Sequence, residues 1–533
     1  MTHPIRAARP FPRLLLSTVL FALLACTDLT ESPSSTVTPD NFYRNEAEVL
    51  AGVASVYATL RGTLDDYWYA TEVSSDEIVV PTRGSDWFDN GQWLELKRQT
   101  WSPTSPSGRA FMNGAWVTPF TGVARANIVL DALTKVTVAN QATIVAELRT
   151  LRAFYYYMLM DMFGGVPVVT DIEIKARPRD TRDSVFKFIE SELLAARPDL
   201  PVNWKATPGS MGRMTRGAVD AILASMYLNA GVWDKSTGVS ATAYNTCLGV
   251  TVSGGLDACQ AAINRADSII NSGQYSLSAP GAWRSNFTAN NDLAPENILV
   301  VKFLNQPDVG LNFVMRALHY NQLTNASPWN GFATTAQTFR AFDSLDQRRQ
   351  MWLEGPQNNV ETGTPVCERN PKPCGDPGTV PLVFTDSIND LTVATEGEGP
   401  RFYKWPADAG RPDGPNNGND FAYFRYADIL LIKAEALNEQ NPGSAPALVL
   451  VNQVRARVFT VAQPRATIDR AQLLQERLLE LAAEAKRRQD LIRHGAYTAA
   501  WNYKAAGAAH LILMPIAQAQ MDANPLLVQN PGY

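Results

Sequence analysis

A helical period, broken by long loops rich in aromatic residues, constrains this chain more than any other feature. Between 142 and 163 the apolar side chains Ile144, Leu148, Leu151, Tyr155, Met158 and Met162 step by four and three, which puts them on one face of an α-helix. Gly164-Gly165 and Pro167 then stop the run. The same reading predicts helices over 43–60, 110–134, 183–197, 214–231, 259–272, 421–440, 445–457 and 470–493. The last carries Leu474, Leu478, Leu481 and Ala485 at helical spacing, a Glu484/Arg488 pair at i,i+4, and Gly495 as its stop.

These helices fall into consecutive pairs: 142–163 with 183–197, 214–231 with 259–272, and 421–440 with 445–457. Small residues at the expected crossings (Ala153, Ala224, Ala434) suggest degenerate tetratricopeptide units of irregular period. Between the pairs lie irregular segments rich in Gly, Pro, Asn and Trp, at 61–109, 280–335 and 355–420. Loops of this length are functional or disordered, and their aromatics argue against disorder. Composition sharpens the point, because 12 Trp and 17 Tyr are more rings than a helical core needs.

The first residues fix the compartment. Arg6, Arg9 and Arg13 precede the apolar run Leu14–Ala25, which has signal-peptide length and is too short to span a bilayer comfortably. It ends in Leu23-Leu24-Ala25-Cys26, which resembles the lipobox of bacterial lipoproteins, where the cysteine is acylated and becomes the first mature residue. Residues 1–25 are therefore expected to be a lipoprotein signal peptide, Cys26 the lipid attachment, and 26–39 a polar flexible tether. Export permits disulfides. The four remaining cysteines form two local pairs, Cys247 with Cys259 and Cys367 with Cys374, although four cysteines allow three connectivities. Neither spacing suits zinc, and no histidine lies nearby.

Catalytic constellations do not emerge. The chain contains no phosphate-cradling Gly-Lys-Ser/Thr loop, no His-Glu-x-x-His and no Gly-x-Ser-x-Gly. His494 beside Gly495 reads as a helix-end cap. The run Asp413–Asp420 (DGPNNGND) is oxygen-rich but lacks EF-hand order, so it reads as a turn rather than a calcium site. Asp76-Glu77 and Glu396/Glu398 are carboxylate pairs of the kind any acidic chain contains. With 47 basic against 52 acidic residues, the net charge of -5 argues against a nucleic-acid partner. The expectation is no enzyme, no cofactor and no metal.

Motifs spread over the mature chain then carry a resemblance. Asn41-Phe42-Tyr43 leads into AEVLAGVASVYATLR (47–61). AELRTLRAFYYYMLMDMFGGVPVVTD (146–171) contains Arg152-Ala153, Tyr155-Tyr156, Phe163-Gly164 and Val166-Pro167. Arg182-Asp183-Ser184-Val185 and MTRGAVDAILASMYLNAG (214–231) follow. Further on come Phe424-Arg425-Tyr426-Ala427-Asp428 with Lys433-Ala434-Glu435-Ala436, then Val451–Arg457, Glu476-Arg477 and Arg487–Arg493. The chain closes with Leu513-Met514-Pro515-Ile516 and Gln529–Tyr533. In this order they resemble the SusD/RagB family, the starch-utilization-system D lipoproteins. Ile516-Ala517 departs from the family's more frequent Ile-Pro.

The resemblance implies an all-α fold of about four tetratricopeptide-like helix pairs in a right-handed superhelical scaffold, with long irregular loops carrying ligand and partner surfaces. It divides the mature chain into an N-terminal helical region (40–280) and a C-terminal region (281–533). It implies a lipid-anchored protein on the outer face of a Gram-negative outer membrane. Relatives cap a SusC-like TonB-dependent β-barrel and hand it glycans or peptides. Rival readings are a structural lid without its own ligand site, and a surface hydrolase or lectin independent of a transporter. Arg152, Arg425, Asp428 and Glu435 read as ion pairs between helices. Sugars stack their C–H faces on aromatic rings, so the candidate ligand residues are the loop aromatics Trp68, Tyr69, Trp87, Trp93, Trp283, Tyr320 and Trp329. Asn90, Asn321 and Arg83 are the candidate polar contacts.

Overall fold

The computed structural model describes residues 43–533 except 208, 369–373 and 410–414. The signal segment 1–25, Cys26, the tether 26–39, Asn41-Phe42 and the start of the Asp413–Asp420 run lie outside the described residues. Eight long helices pair in sequence order. They are α1 (Glu46–Gly62) with α2 (Asn113–Ala132), α3 (Gln141–Phe163) with α4 (Arg182–Ala196), α5 (Arg216–Leu228) with α6 (Ala258–Ile270), and α7 (Tyr426–Gln440) with α8 (Ala445–Ala456). Successive pairs touch through α2 on α3, α4 on α5 and α6 on α7, so the scaffold is one continuous stack. This is the tetratricopeptide-like arrangement expected of the pairs.

Local chemistry starts and stops these helices. Asn45, Thr215, Asp257, Ser444 and Asp469 each accept a backbone N–H from the first helical turn. Gly164, at φ 73°, ends α3 where a side chain would strain the left-handed turn. Helix α3 is buried more completely than a one-face stripe suggests: from Leu148 to Phe163 every residue except Arg149 is buried. It lies between α2 and α4, and a Cβ on Gly122 of α2 would come within 2.3 Å of the Tyr155 ring. That close approach requires glycine.

Two segments depart from the helical reading. Residues 421–425 form a strand, and the predicted helix 470–493 is two helices, α9 (Arg470–Leu481) and α10 (Arg487–Arg493). In the first segment Phe421, Tyr423 and Phe424 are bulky rings buried on both faces, an environment that suits a strand. The break between α9 and α10 places Ala483 (φ 64°) and Ala485 (φ 60°) in left-handed conformations. Each costs roughly 1 kcal/mol or more for a residue with a Cβ. In return Glu484 turns inward to Lys404 (2.5 Å) and Arg425 (2.7 Å), so it does not pair with Arg488, which instead bonds Asp161 at 3.1 Å.

Six short strands position the loops: β1 (Ile78–Val79), β2 (Asn297–Val301), β3 (Ala333–Thr334), β4 (Trp352–Leu353), β5 (Arg401–Phe402) and β6 (Phe421–Arg425). β2 and β6 form an antiparallel ladder, and the others form a small antiparallel sheet in the order β1-β3-β5-β4. That sheet draws together three loops distant in sequence: the one after β1, the one before β3 and the one before β5.

Candidate ligand-binding site

Two buried arginines staple the three loops. Arg83 donates to the carbonyls of Asn330 (2.9 Å), Glu398 (2.8 Å) and Thr395. Arg401 donates to the Asn330 side-chain oxygen (2.9 Å) and to the carbonyls of Glu396 (2.5 Å), Glu398 (2.7 Å) and Gly399 (2.5 Å). Neither has a carboxylate partner among these bonds. Burial pushes Arg83 down to about 10, and burial together with the nearby Arg83 charge holds Arg401 well below the usual arginine range. Both guanidiniums are thus spent on loop backbone. Arg83, expected as a ligand contact, is a buried structural tie.

On this frame a ladder of rings climbs from the core to the surface. Trp68 packs against Phe313 (4.8 Å), Phe332 (5.8 Å) and Phe402 (6.1 Å). Phe332 in turn meets Tyr69 (5.7 Å), Trp93 (5.5 Å) and Trp87 (5.4 Å). Trp87 stands edge-on to Trp93 at 5.5 Å and lies 6.4 Å from Trp329, whose carbonyl accepts its indole N–H at 2.6 Å. Edge and offset contacts of this kind fix ring orientation.

The loop carrying Trp87 is bent by four residues at positive φ, Trp87 (62°), Asp89 (39°), Asn90 (56°) and Gly91 (81°), with Phe88 between the first two in the right-handed region. Non-glycine residues occupy that region at a cost, and such strain gathers at functional sites. Asp89 accepts the Trp93 indole N–H at 2.7 Å, and Asp86 accepts the Tyr320 hydroxyl. Gly331 leaves room for the Trp87 indole, since a Cβ there would lie 2.3 Å from the ring. The ladder ends at a cavity of about 430 Å3 lined by Asp86, Trp87, Asp89, Tyr320, Pro328 and Trp329, among others. Trp329 is 41% exposed, and Phe88, next to Trp87 in the chain, is 55% exposed. Rings that line a cavity with carboxylates beside them can stack an apolar face and accept hydroxyl protons.

The candidates therefore separate. Trp87, Tyr320 and Trp329 line one cavity, and Asn90 is exposed on the same bent loop. Tyr69 and Trp93 stand behind them as supports. Trp68 and Trp283 are corrections, because both are core residues. Trp68 is fully enclosed and donates its indole N–H to the Ala483 carbonyl at 2.9 Å, and Trp283 packs on Phe287 at 5.1 Å. Asn321 is exposed, and its amide donates to the Cys367 carbonyl at 3.1 Å. Cys247 is bonded to Cys259 and Cys367 to Cys374. Sequence reasoning passed over Phe88, Asp86, Asp89, Phe332 and Arg401. The Asp-Asn-Gly turn signal at 89–91, flanked by Trp87 and Trp93, was the cue for the first three.

The acidic pairs and histidines have other work. Asp76 forms a two-pronged pair with Arg487 (2.7 Å each), and Glu77 is buried, accepting the Ala483 N–H at 2.8 Å. Glu398 accepts from the Asn389 amide at 2.5 Å. Glu396 lies 2.8 Å from Nε2 of the buried His319. Burial pushes His319 down to about 4 against the pull of Glu396. Its Nδ1 accepts the Asn321 N–H at 3.4 Å, so Nε2 carries the proton given to Glu396. His494, at the end of α10, bonds Glu435 at 2.9 Å. From the Asp413–Asp420 run, Asn417 accepts the Asp408 N–H (2.8 Å), Asn419 donates to the Phe287 carbonyl (2.8 Å) and Asp420 pairs with Lys302 (2.5 Å).

Comparison with known proteins follows the same outline. Residues 295–511 match the SusD family, and residues 36–228 match a family described as starch-binding associating with outer membrane. The starch-binding protein SusD of Bacteroides thetaiotaomicron is 23% identical over 514 residues, spanning 87% of this chain and 86% of that protein. SusD-like protein P2 of Formosa agariphila is 24% identical over 506 residues, 89% of each. Among solved structures, a laminarin binding SusD-like protein superposes with a TM-score of 0.69 at 22% identity, covering 92% of this chain and 100% of that one. Surface glycan-binding protein A from Bacteroides thetaiotaomicron, in complex with laminarihexaose, gives 0.69 at 20% identity over 91% of this chain and 99% of its own. The structural matches establish a shared fold. With both halves matched in order along one stack of helix pairs, the chain belongs to the SusD family.

Proposed function

We propose that this protein binds glycan at the cell surface and passes it to a SusC-like TonB-dependent β-barrel, held at the outer membrane through lipid on Cys26. The observation that carries the reading is the Trp87–Trp329 platform: the Trp87 indole bonded to the Trp329 main-chain carbonyl, backed by a ring ladder and edged by Asp86 and Asp89. The names of its relatives, starch-binding and laminarin binding, support a saccharide over a peptide. The reading makes it a non-enzyme, which fits carboxylates engaged in holding the site: Asp86 on Tyr320, Asp89 on Trp93 and Glu396 on His319.

Isothermal titration of the soluble chain from Thr27 onward against neutral and acidic oligosaccharides and peptides tests it. Binding is expected to weaken about tenfold in Trp329→Ala, in line with the roughly 1.4 kcal/mol that tenfold represents and with measured ring contacts. No binding to any member of the panel favours the structural lid. Cys26→Ala should release the protein from membranes; unchanged fractionation would remove the lipid anchor from the proposal.

A further inference from the structure

The surface depression does not end at the platform. Trp329 also lines a second cavity of about 480 Å3, together with Arg61, Asp65, Asn312 and Arg316. Arg61, in the last turn of α1, lines a third of about 470 Å3 with Leu50, Val53 and Met211. Three cavities therefore follow one another, the first two sharing Trp329 and the last two sharing Arg61.

Arg61 differs from the cations around it. Arg316 pairs with Asp65 at 2.5 Å, Lys302 with Asp420 at 2.5 Å, and Arg213 with Glu147 at 2.5 Å. Arg61 makes one hydrogen bond among the described residues, from Nε to the Lys302 carbonyl at 2.7 Å, and no ion pair. Its two terminal nitrogens make no hydrogen bond among the described residues, and the carboxylate that attracts its charge, Asp420, is itself bonded to Lys302. Asp308, exposed and lining the same cavity, forms no ion pair with it. Arg316, whose side chain is only 5% exposed, spends its terminal nitrogens on the Leu64 carbonyl (3.0 Å) and on Asp65, so Arg61 is the cation of this lining left open to a ligand. Arg83 and Arg401, by contrast, spend their donors on loop carbonyls.

A half-buried guanidinium with an open fork matches the paired oxygens of a carboxylate or sulfate. It offers a neutral sugar much less, since a hydroxyl cannot engage the fork as an anion does. We propose that the oligosaccharide on the Trp87–Trp329 platform continues into the second cavity and carries an anionic sugar there, a uronate or a sulfate ester, bound by Arg61. This rests on the platform being the glycan site.

The test titrates neutral glucan, uronan and sulfated glucan hexasaccharides into the wild type, Arg61→Gln and Trp329→Ala, at low and high salt. The best acidic hexasaccharide should bind at least about tenfold more tightly than the neutral ones, as hydrogen bonds to a charged group are stronger than neutral ones. Arg61→Gln should remove that excess while leaving neutral binding intact, and salt should shrink it. Trp329→Ala should weaken both classes. The arm showing the excess distinguishes uronate from sulfate. If no acidic hexasaccharide outbinds the neutral ones, or if Arg61→Gln keeps the preference, the proposal is overturned while the platform stands. If no oligosaccharide binds the wild type at all, the platform reading falls and takes this one with it.

Discussion

Buried arginines hold both the helix scaffold and the ligand platform, yet they do so with different partners. In the scaffold, Arg425 pairs with Glu296, Glu480 and Glu484, Arg348 with Asp346, Glu476 and Glu480, and Arg457 with Glu296 and Glu480. Arg477 takes Asp428 and Asp490, and Arg493 takes Glu435. At the platform Arg83 and Arg401 grip backbone carbonyls. A carboxylate partner fixes one side chain against another and so locks helices whose backbone bonds are already made. A carbonyl partner instead satisfies loop backbone that has no ladder of its own. The first arrangement sets where rigid elements sit, and the second sets the path of a chain between them.

That difference is open to attack at its strongest point. Glu480 accepts from Arg348 (3.0 Å), Arg425 (2.6 Å) and Arg457 (2.5 Å), all fully or almost fully buried. Removing one member of a buried charge cluster leaves the others uncompensated, so Glu480→Ala should cost about 3–5 kcal/mol of stability. Denaturant unfolding measures this. Oligosaccharide affinity of the protein that remains folded should be unchanged, because no residue of the cluster lines the platform cavity. A stability loss below about 1 kcal/mol, the range of an exposed pair, would show that the cluster is no lock.

The platform should answer to falling pH before the scaffold does, because the scaffold carboxylates Glu296, Glu435 and Glu480 are held below the usual range, against burial, by their arginines. His319 has a folded pKa of about 4 against an ordinary value of about 6.5, so the unfolded chain binds more protons between those limits. Its contribution is therefore intact above about pH 6.5 and lost as pH falls toward 4, to roughly 3 kcal/mol at most. Asp66 and Glu72, pushed up to about 7 by burial, run the other way and gain on acidification. The diagnostic is the difference between wild type and His319→Gln across pH 7 to 4. The wild type should lose more stability than the variant over that window; equal slopes would remove His319 from the account.

How much of this was legible in the sequence follows the same division. Helix pairs were readable because Ile144, Leu148 and Leu151 repeat at the helical period and Gly164 stops the run, both local signals. The ion pairs of Arg152, Asp428 and Glu435 were readable because charged residues on apolar helices need partners, and Arg152 meets Glu192 at 2.5 Å; Arg425 is paired too, but from a strand rather than a helix. The strand at Phe421–Arg425 and the corner at Ala483–Ala485 were not, because partners from β2, Glu77 and Trp68 decide them. On the platform, the residue type of a loop tryptophan could not separate Trp329, exposed, from Trp68 and Trp283, enclosed. Tertiary partners sort those rings: Trp68 is enclosed by Phe313 and the Ala483 carbonyl and Trp283 by Phe287, while Arg83 and Arg401 fix the loop of Trp329 through carbonyls, which every residue possesses.

The smallest of these changes isolates the platform most cleanly. Gly331 does not adopt a left-handed φ, so Gly331→Ala adds no backbone strain, only a methyl group where the Trp87 ring now lies. That methyl would sit 2.3 Å from Cε2 of the indole, too close for either to remain. Inserting a carbon into a packed site costs about 1–3 kcal/mol, and here the ring can swing outward, which places the cost toward the lower end. Swinging outward breaks the Trp87 hydrogen bond to the Trp329 carbonyl and misaligns the two indoles. Stability should therefore fall by about 1 kcal/mol while oligosaccharide affinity falls about tenfold, the reverse of Glu480→Ala. Titration and thermal unfolding of the same preparation read both effects. If affinity survives with Trp87 displaced, Trp329 alone carries the ligand and the paired platform is not the binding unit.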